Sequence, residues 1–175
     1  MKYKEAVKQA MEDLAKDQKF IFLGYNVNYG SRGNGTLKDI PKDRCLETPL
    51  AENLMSSVAI GMSLEGFRPV VIIERHDFIL NALDSIVNHA DKFERLSKGQ
   101  FRVPVIYRAI IGAKKPLDPG LQHTQDFTKA IREMVTFPVV ELKSSRQILE
   151  EYEKAKHIDH PILFIERKDN YDDEC

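Results

Sequence analysis

With 175 residues, 42% hydrophobic and 30% charged, the chain fits one domain with a sizeable core better than two. A formal net charge of -1 gives no bulk attraction to nucleic acid, and no apolar run approaches the length needed to cross a bilayer. The two cysteines, Cys45 and Cys175, suit neither a disulfide framework nor a zinc site, and the amphipathic start is not a signal core, so a reducing cytoplasm is the expected setting.

In chain order, Tyr3, Ala6, Val7, Ala10, Met11 and Leu14 fall on one face of a first helix. Phe20 to Leu23 form a short apolar run, as expected for a strand buried on both faces. Residues 24–43 are polar and glycine-rich, too long for a simple turn, and read as a flexible loop with functional potential. Residues 44–47 can form a short strand, and Ala51, Leu54, Met55, Val58, Ala59 and Met62 repeat at helical spacing. Residues 69–73 read as another buried strand. Residues 79–96 read as one long helix stopped at Gly99. A strand over 103–107 has Pro104 near its start, and an irregular segment spans 112–122. Helices over 124–134 and 145–156 and strands over 138–142 and 161–165 complete the pattern. Residues 1–168 are thus read as one domain and 169–175 as a polar, frayed tail.

Strands alternating with helices predict an α/β fold, a doubly wound, mainly parallel sheet with helices on both faces. Ligands of such sheets sit beyond the carboxyl ends of the strands. The loops at 24–43, 74–77 and 112–122 all follow strands and are therefore expected to gather at that edge.

Taken singly, the chemical signals have bland readings beside functional ones. The stretch Gly30-Ser31-Arg32-Gly33-Asn34-Gly35 lacks the endings and spacings of nucleotide-binding loops. Glu52, in the first turn of a helix, is either a carboxylate stabilised by the helix dipole or a catalytic group. His123, at the expected start of a helix, is either a capping histidine or a catalytic one. No histidines stand at metal-ligand spacing, so no metal site is expected from this chain alone.

The order of the segments carries more than any one of them. Phe22-Leu23-Gly24 precedes Glu47-Thr48-Pro49-Leu50-Ala51-Glu52, then Ala59-Ile60-Gly61-Met62, Gly66-Phe67-Arg68-Pro69-Val70-Val71 and Asp84-Ser85-Ile86-Val87-Asn88-His89-Ala90-Asp91-Lys92. Gln122-His123-Thr124-Gln125 and Pro161-Ile162-Leu163-Phe164-Ile165-Glu166 close the series. From residue 20 to about 171 the chain resembles the pyrimidine-binding domain of the transketolase-like family, in particular the N-terminal domain of the 2-oxo acid dehydrogenase beta subunit. That resemblance implies a thiamine-diphosphate enzyme in which Glu52 hydrogen-bonds a ring nitrogen of the cofactor's aminopyrimidine. Proton sharing there favours the imino tautomer, whose exocyclic nitrogen takes the proton from the thiazolium carbon. Burial of a carboxyl group favours its proton-donating form.

It also implies that His123 steers protons or orients substrate, and that Phe78 and Arg75 lie against the pyrimidine. The family commonly has an acidic pair where this chain has Tyr25-Asn26, and an aromatic where it has Arg75. The family's diphosphate–Mg²⁺ motif, GDG with a downstream asparagine, does not occur in this sequence and belongs to a partner domain. The expectation is therefore activity only with an alpha-type, diphosphate-binding subunit that holds most of the Mg²⁺ contacts, the pair assembling into a heterotetramer. The expected substrate is a small anionic carbonyl compound, with Arg32, Arg75, His76 and His123 around it and neither nucleic acid nor membrane as partner. The chain stops soon after its last strand, so the family's C-terminal domain is expected to be missing. The competing expectation is a non-catalytic assembly or regulatory paralogue.

Overall fold

The computed structural model describes residues 1–174. The elements run α1 (Tyr3–Ala15), β1 (Phe20–Gly24), β2 (Cys45–Glu47), α2 (Glu52–Leu64) and β3 (Arg68–Ile73). A three-part helical segment follows, ending in α3 (Phe93–Leu96), then β4 (Ile106–Ile111), α4 (Thr128–Met134), β5 (Val139–Glu141), α5 (Ser145–Ala155) and β6 (Ile162–Arg167). The six strands form one wholly parallel sheet in the order β2-β1-β3-β4-β6-β5. One face packs on α1 and α5 through Val7, Met11, Leu14, Ile148 and Tyr152. The other packs on α2, α4 and the long helical segment through Met55, Ala59, Ile79, Ile86 and Ile131. Both faces of β3, β4 and β6 are covered, which is why these strands are continuous apolar runs. The fold is doubly wound α/β, as the alternation of elements predicts. No described helix is long and apolar enough to cross a membrane.

The chain passes from β1 to β2 on one side and returns to β3 on the other side of β1. A crevice therefore opens at the carboxyl ends of β1 and β3, the place where such sheets bind ligands. The three loops expected at this edge do meet there. Gly24 ends β1 where a Cβ would lie 2.7 Å from the Ile72 carbonyl oxygen, so a side chain would force the two strands apart at the crevice.

Four local expectations are corrected. Residues 79–96 are not one α-helix: they run through a 3₁₀ segment (His76–Ala82), a π segment (Asp84–Ala90) and α3. The widened turn re-phases the helix so that the Asp91 carboxylate reaches inward, accepting from the backbone N–H and hydroxyl of Thr136 at 2.7 Å each. The helix expected from 124 begins at Thr128, because the N–H groups of Gln125 and Phe127 go instead to Asp77 (3.1 Å) and His76 (3.1 Å), and Asp126 caps Thr128 at 3.0 Å. β4 starts at Ile106 and not at residue 103, since Pro104 lacks a donor and the Val105 N–H turns back to the Val103 carbonyl at 2.8 Å.

The tail is docked rather than frayed over its described residues; Cys175 lies outside them. Tyr171 is buried, its hydroxyl donates to the Glu166 carboxylate at 2.7 Å, and the Tyr3 N–H reaches the Asp173 carbonyl at 3.0 Å. Glu166 also pairs with the fully buried Arg108, which donates to Thr36 of the glycine-rich loop at 2.8 Å. One buried ion pair thus ties β4, β6, the loop and the tail together, and each guanidinium nitrogen of Arg108 finds an acceptor.

Candidate functional site

A cavity of about 180 Å³ sits in the crevice between β1 and β3. Met55, Ile72 and Ile73 give it an apolar wall, while Glu52, Phe78 and His123 bring a carboxyl group, a phenyl ring and an imidazole to the same space. Tyr25 and Arg75 also line it. A larger hollow of about 390 Å³ lies at the amino ends of β4, β5 and β6, lined by Asp91, Arg95, Phe137 and His160, and shares no residue with the crevice.

Glu52 is the first residue of α2 and only 5% exposed. The free N–H groups and dipole at a helix start stabilise a carboxylate there. Its Oε2 accepts from the Asn81 side-chain amide at 3.2 Å, while Oε1 has no partner among the described residues. On a residue so little exposed, a carboxyl oxygen left without a partner beside an apolar cavity is set up to meet a hydrogen-bonding group on a ligand. One turn further along α2, Ser56 and the Tyr107 hydroxyl lie 2.8 Å apart, and burial pushes the Tyr107 phenol well above its usual range. Tyr107 stays neutral and holds α2 against β4.

His123 reaches the cavity through an anchored loop. The Asp77 carboxylate accepts both the backbone N–H and the side-chain amide of Gln125 at 3.1 Å, and His76 stacks on Phe127 with centroids 6.2 Å apart. Gly112, just past β4, makes room for this loop: a Cβ there would fall 2.0 Å from the His123 carbonyl oxygen. The result is an edge-to-face contact between His123 and Phe78, with centroids 5.5 Å apart and planes at 81°.

The structure therefore brings Glu52, Phe78, Arg75 and His123 together, and leaves out two residues expected beside them. Arg32 turns inward and donates to the carbonyls of Lys38 (2.7 Å) and Ile40 (2.6 Å), holding the glycine-rich loop in shape. His76 is fully buried, burial holds its imidazole below the usual pKa, and its Nε2 accepts the Phe127 N–H. Neither faces the cavity. The loop at 24–43 is not slack either: the Glu47 carboxylate accepts the consecutive N–H groups of Asn26, Val27 and Asn28 at 2.7, 3.0 and 2.7 Å. Glu47, Asp77 and Asn81 escaped the sequence reading because their roles depend on residues 19 to 48 positions away. Only the polar side chain of Asn81 within an apolar stripe hinted at one of them.

Comparisons with known proteins agree with this architecture. The pyruvate dehydrogenase E1 component subunit beta of Rickettsia felis is 28% identical over 170 residues, covering 94% of this chain and 52% of that protein. The 2-oxoisovalerate dehydrogenase subunit beta of Bacillus subtilis is 27% identical over 178 residues, covering 98% of this chain and 53% of its own length. The chain thus spans about half the length of the curated relatives it matches. A solved structure, described as a split gene transketolase forming an inactive beta4 tetramer, superposes with a TM-score of 0.73 at 20% identity, over 94% of this chain and 50% of that one, and shows the shared fold. The family described as the transketolase pyrimidine binding domain matches residues 1–174 without interruption, and this chain belongs to that family.

Proposed function

We propose that this chain is the pyrimidine-binding subunit of a split thiamine-diphosphate enzyme, of transketolase or 2-oxo acid dehydrogenase/decarboxylase type, active only with a diphosphate-binding partner. The observation that carries the reading is Glu52, nearly buried at a helix start with one carboxyl oxygen free beside a cavity that Met55, Ile72, Ile73 and Phe78 help to line. Family membership implies the cofactor, and the lining fits its heteroaromatic end: an apolar wall, the Phe78 and Tyr25 rings and the Glu52 carboxyl group.

When bound, the cofactor would supply a sink for the electron pair left as a bond beside a carbonyl breaks, and would return that pair when such a bond forms. Glu52 holds and moves a proton at the pyrimidine ring nitrogen, and Asn81 fixes its other oxygen so that Oε1 keeps its aim. Met55, Ile72 and Ile73 exclude water from that contact. Phe78 packs on the ring and orients His123, whose imidazole orients the substrate or carries its proton. Arg75 supplies positive charge at the mouth. In this reading Mg²⁺ is held mainly by the partner chain, the pair forms a heterotetramer, and the substrate is a small anionic carbonyl compound.

The test is Glu52→Gln in the chain reconstituted with its diphosphate-binding partner. Glutamine keeps the size and the hydrogen bond to Asn81 but holds no mobile proton, so turnover should fall by about 10²–10⁴. Full activity of the variant would instead favour a non-catalytic assembly or regulatory role, the alternative to which Tyr25 and Arg75, in place of acidic and aromatic residues, lend support.

A further inference from the structure

The loop that brings His123 to the Glu52 cavity is fastened to the 3₁₀ segment that carries Phe78, and two adjacent side chains of that segment make the fastening. Asp77 accepts from Gln125, while His76 accepts the Phe127 N–H on Nε2 at 3.1 Å and stacks its ring on the Phe127 phenyl group. A ring nitrogen that accepts carries no proton, so His76 is held as the neutral Nδ1–H tautomer. The imidazole is fully buried, and Nδ1 has no partner among the described residues.

A proton on Nε2 would make that nitrogen a donor facing another donor. The imidazolium would then sit in the interior with neither of its N–H groups satisfied, which is costly. The charged groups that act on the ring are Asp77 beside it, Asp126 on the loop and Arg167 at the end of β6. Both acids are engaged by other donors: Asp77 by Gln125, and Asp126 by the Thr128 N–H and Arg167, which also faces Glu141 at 3.6 Å. Burial outweighs their attraction and holds the imidazole below the usual histidine range. Once the proton does arrive, the ring and the Phe127 N–H must part, and the loop bearing His123 loses one of its two side-chain anchors. An imidazole is the side chain whose ordinary pKa lies nearest neutrality, so this anchor changes in mildly acid solution.

We propose that His76 is a positioning residue for the reaction: its neutral imidazole keeps His123 on Phe78 by accepting the Phe127 N–H, and a proton on Nε2 releases the loop and turns the site off in acid. The effect on turnover rests on the cofactor reading above; the release of the loop does not.

Two measurements test it. The first follows the Phe127 amide and the His76 ring signals of the chain by nuclear magnetic resonance as pH is lowered. Both should titrate with one midpoint, below about pH 6.5, and the amide change should vanish in His76→Gln, whose side-chain oxygen accepts at any pH. A Phe127 amide that ignores the His76 titration would overturn the proposal, and this needs no variant to fold. The second is the pH profile of kcat for the reconstituted pair. The ratio of His76→Gln to parent turnover should rise by on the order of threefold or more between about pH 7.5 and 5; titration of His123 is common to both proteins and cancels in the ratio. His76→Phe keeps a ring against Phe127 but offers no acceptor, so its kcat should be lower by on the order of tenfold throughout, with the affinity for thiamine diphosphate unchanged. A ratio that is flat with pH, or a fully active His76→Phe, would overturn the proposal. If Glu52→Gln abolishes turnover while the ratio stays flat, the latch is refuted and the cofactor reading stands. If Glu52→Gln is fully active while the Phe127 amide still follows His76, the loop is latched as described and the cofactor reading is the one that fails.

Discussion

Glu47→Ala should loosen one side of the crevice without touching its chemistry. The Glu47 carboxylate accepts three consecutive backbone N–H groups, from Asn26, Val27 and Asn28, all within 3.0 Å. Hydrogen bonds to a charged group contribute about 1.5–3 kcal/mol each, but Glu47 is half-buried and water can reach part of the vacated space, so the net loss should be about 2–4 kcal/mol. For a chain of this size that lowers the melting temperature by roughly 5–15 °C. Glu47→Gln keeps one accepting oxygen without charge and should lose about half as much. Urea denaturation followed by circular dichroism measures the loss, and hydrogen exchange should show faster exchange at the amides of residues 26–28. The adjoining Tyr25 lines the cavity, so affinity for the cofactor should weaken in parallel. A Glu47→Ala protein within about 0.5 kcal/mol of the parent, with unchanged exchange at those amides, would refute the anchoring role.

Three further outcomes follow from the same geometry. Gly112→Ala places a Cβ against the His123 carbonyl and should displace that loop, at about 1–3 kcal/mol in stability and with reduced turnover of the reconstituted pair; urea denaturation and steady-state kinetics would detect both. Glu166→Leu strands Arg108 without its buried partner and should lose about 3–5 kcal/mol in urea denaturation, whereas the double variant Arg108→Met/Glu166→Leu should recover most of it. His76 has a folded pKa below its unfolded value, so its contribution is fully present above about pH 6.5 and is lost as pH falls below that, because the unfolded chain then binds the extra proton. Stability measured from pH 7.5 down to 5.5 should therefore decline, and His76→Gln should flatten the decline; an unchanged slope would contradict this.

Much of the fold was legible because hydrophobic periodicity follows burial. The apolar runs at Phe20, Val70, Ile106 and Ile162 lie in strands covered on both faces, and the edge where their loops meet follows from parallel pairing alone. Glu52 and His123 were legible through their neighbours in sequence. Less legible was whatever depends on contacts between distant segments. Asp77 and His76 capture the N–H groups that a helix from residue 124 would have left to water, so α4 starts late. Arg32 and His76 carry charge or titrate, yet their side chains serve backbone groups rather than the cavity. The tail looked frayed because it is polar, but the Tyr171 hydroxyl donates to the buried Glu166 carboxylate.

The most direct measurement is a crystal structure of the reconstituted pair with thiamine diphosphate and Mg²⁺ bound. A Glu52 carboxyl oxygen should lie within about 2.6–3.2 Å of a pyrimidine ring nitrogen, with Phe78 and His123 on the same side of the ring. A cofactor seated elsewhere, or a Glu52 side chain hydrogen-bonded only to Asn81 while the cofactor is in place, would contradict the account.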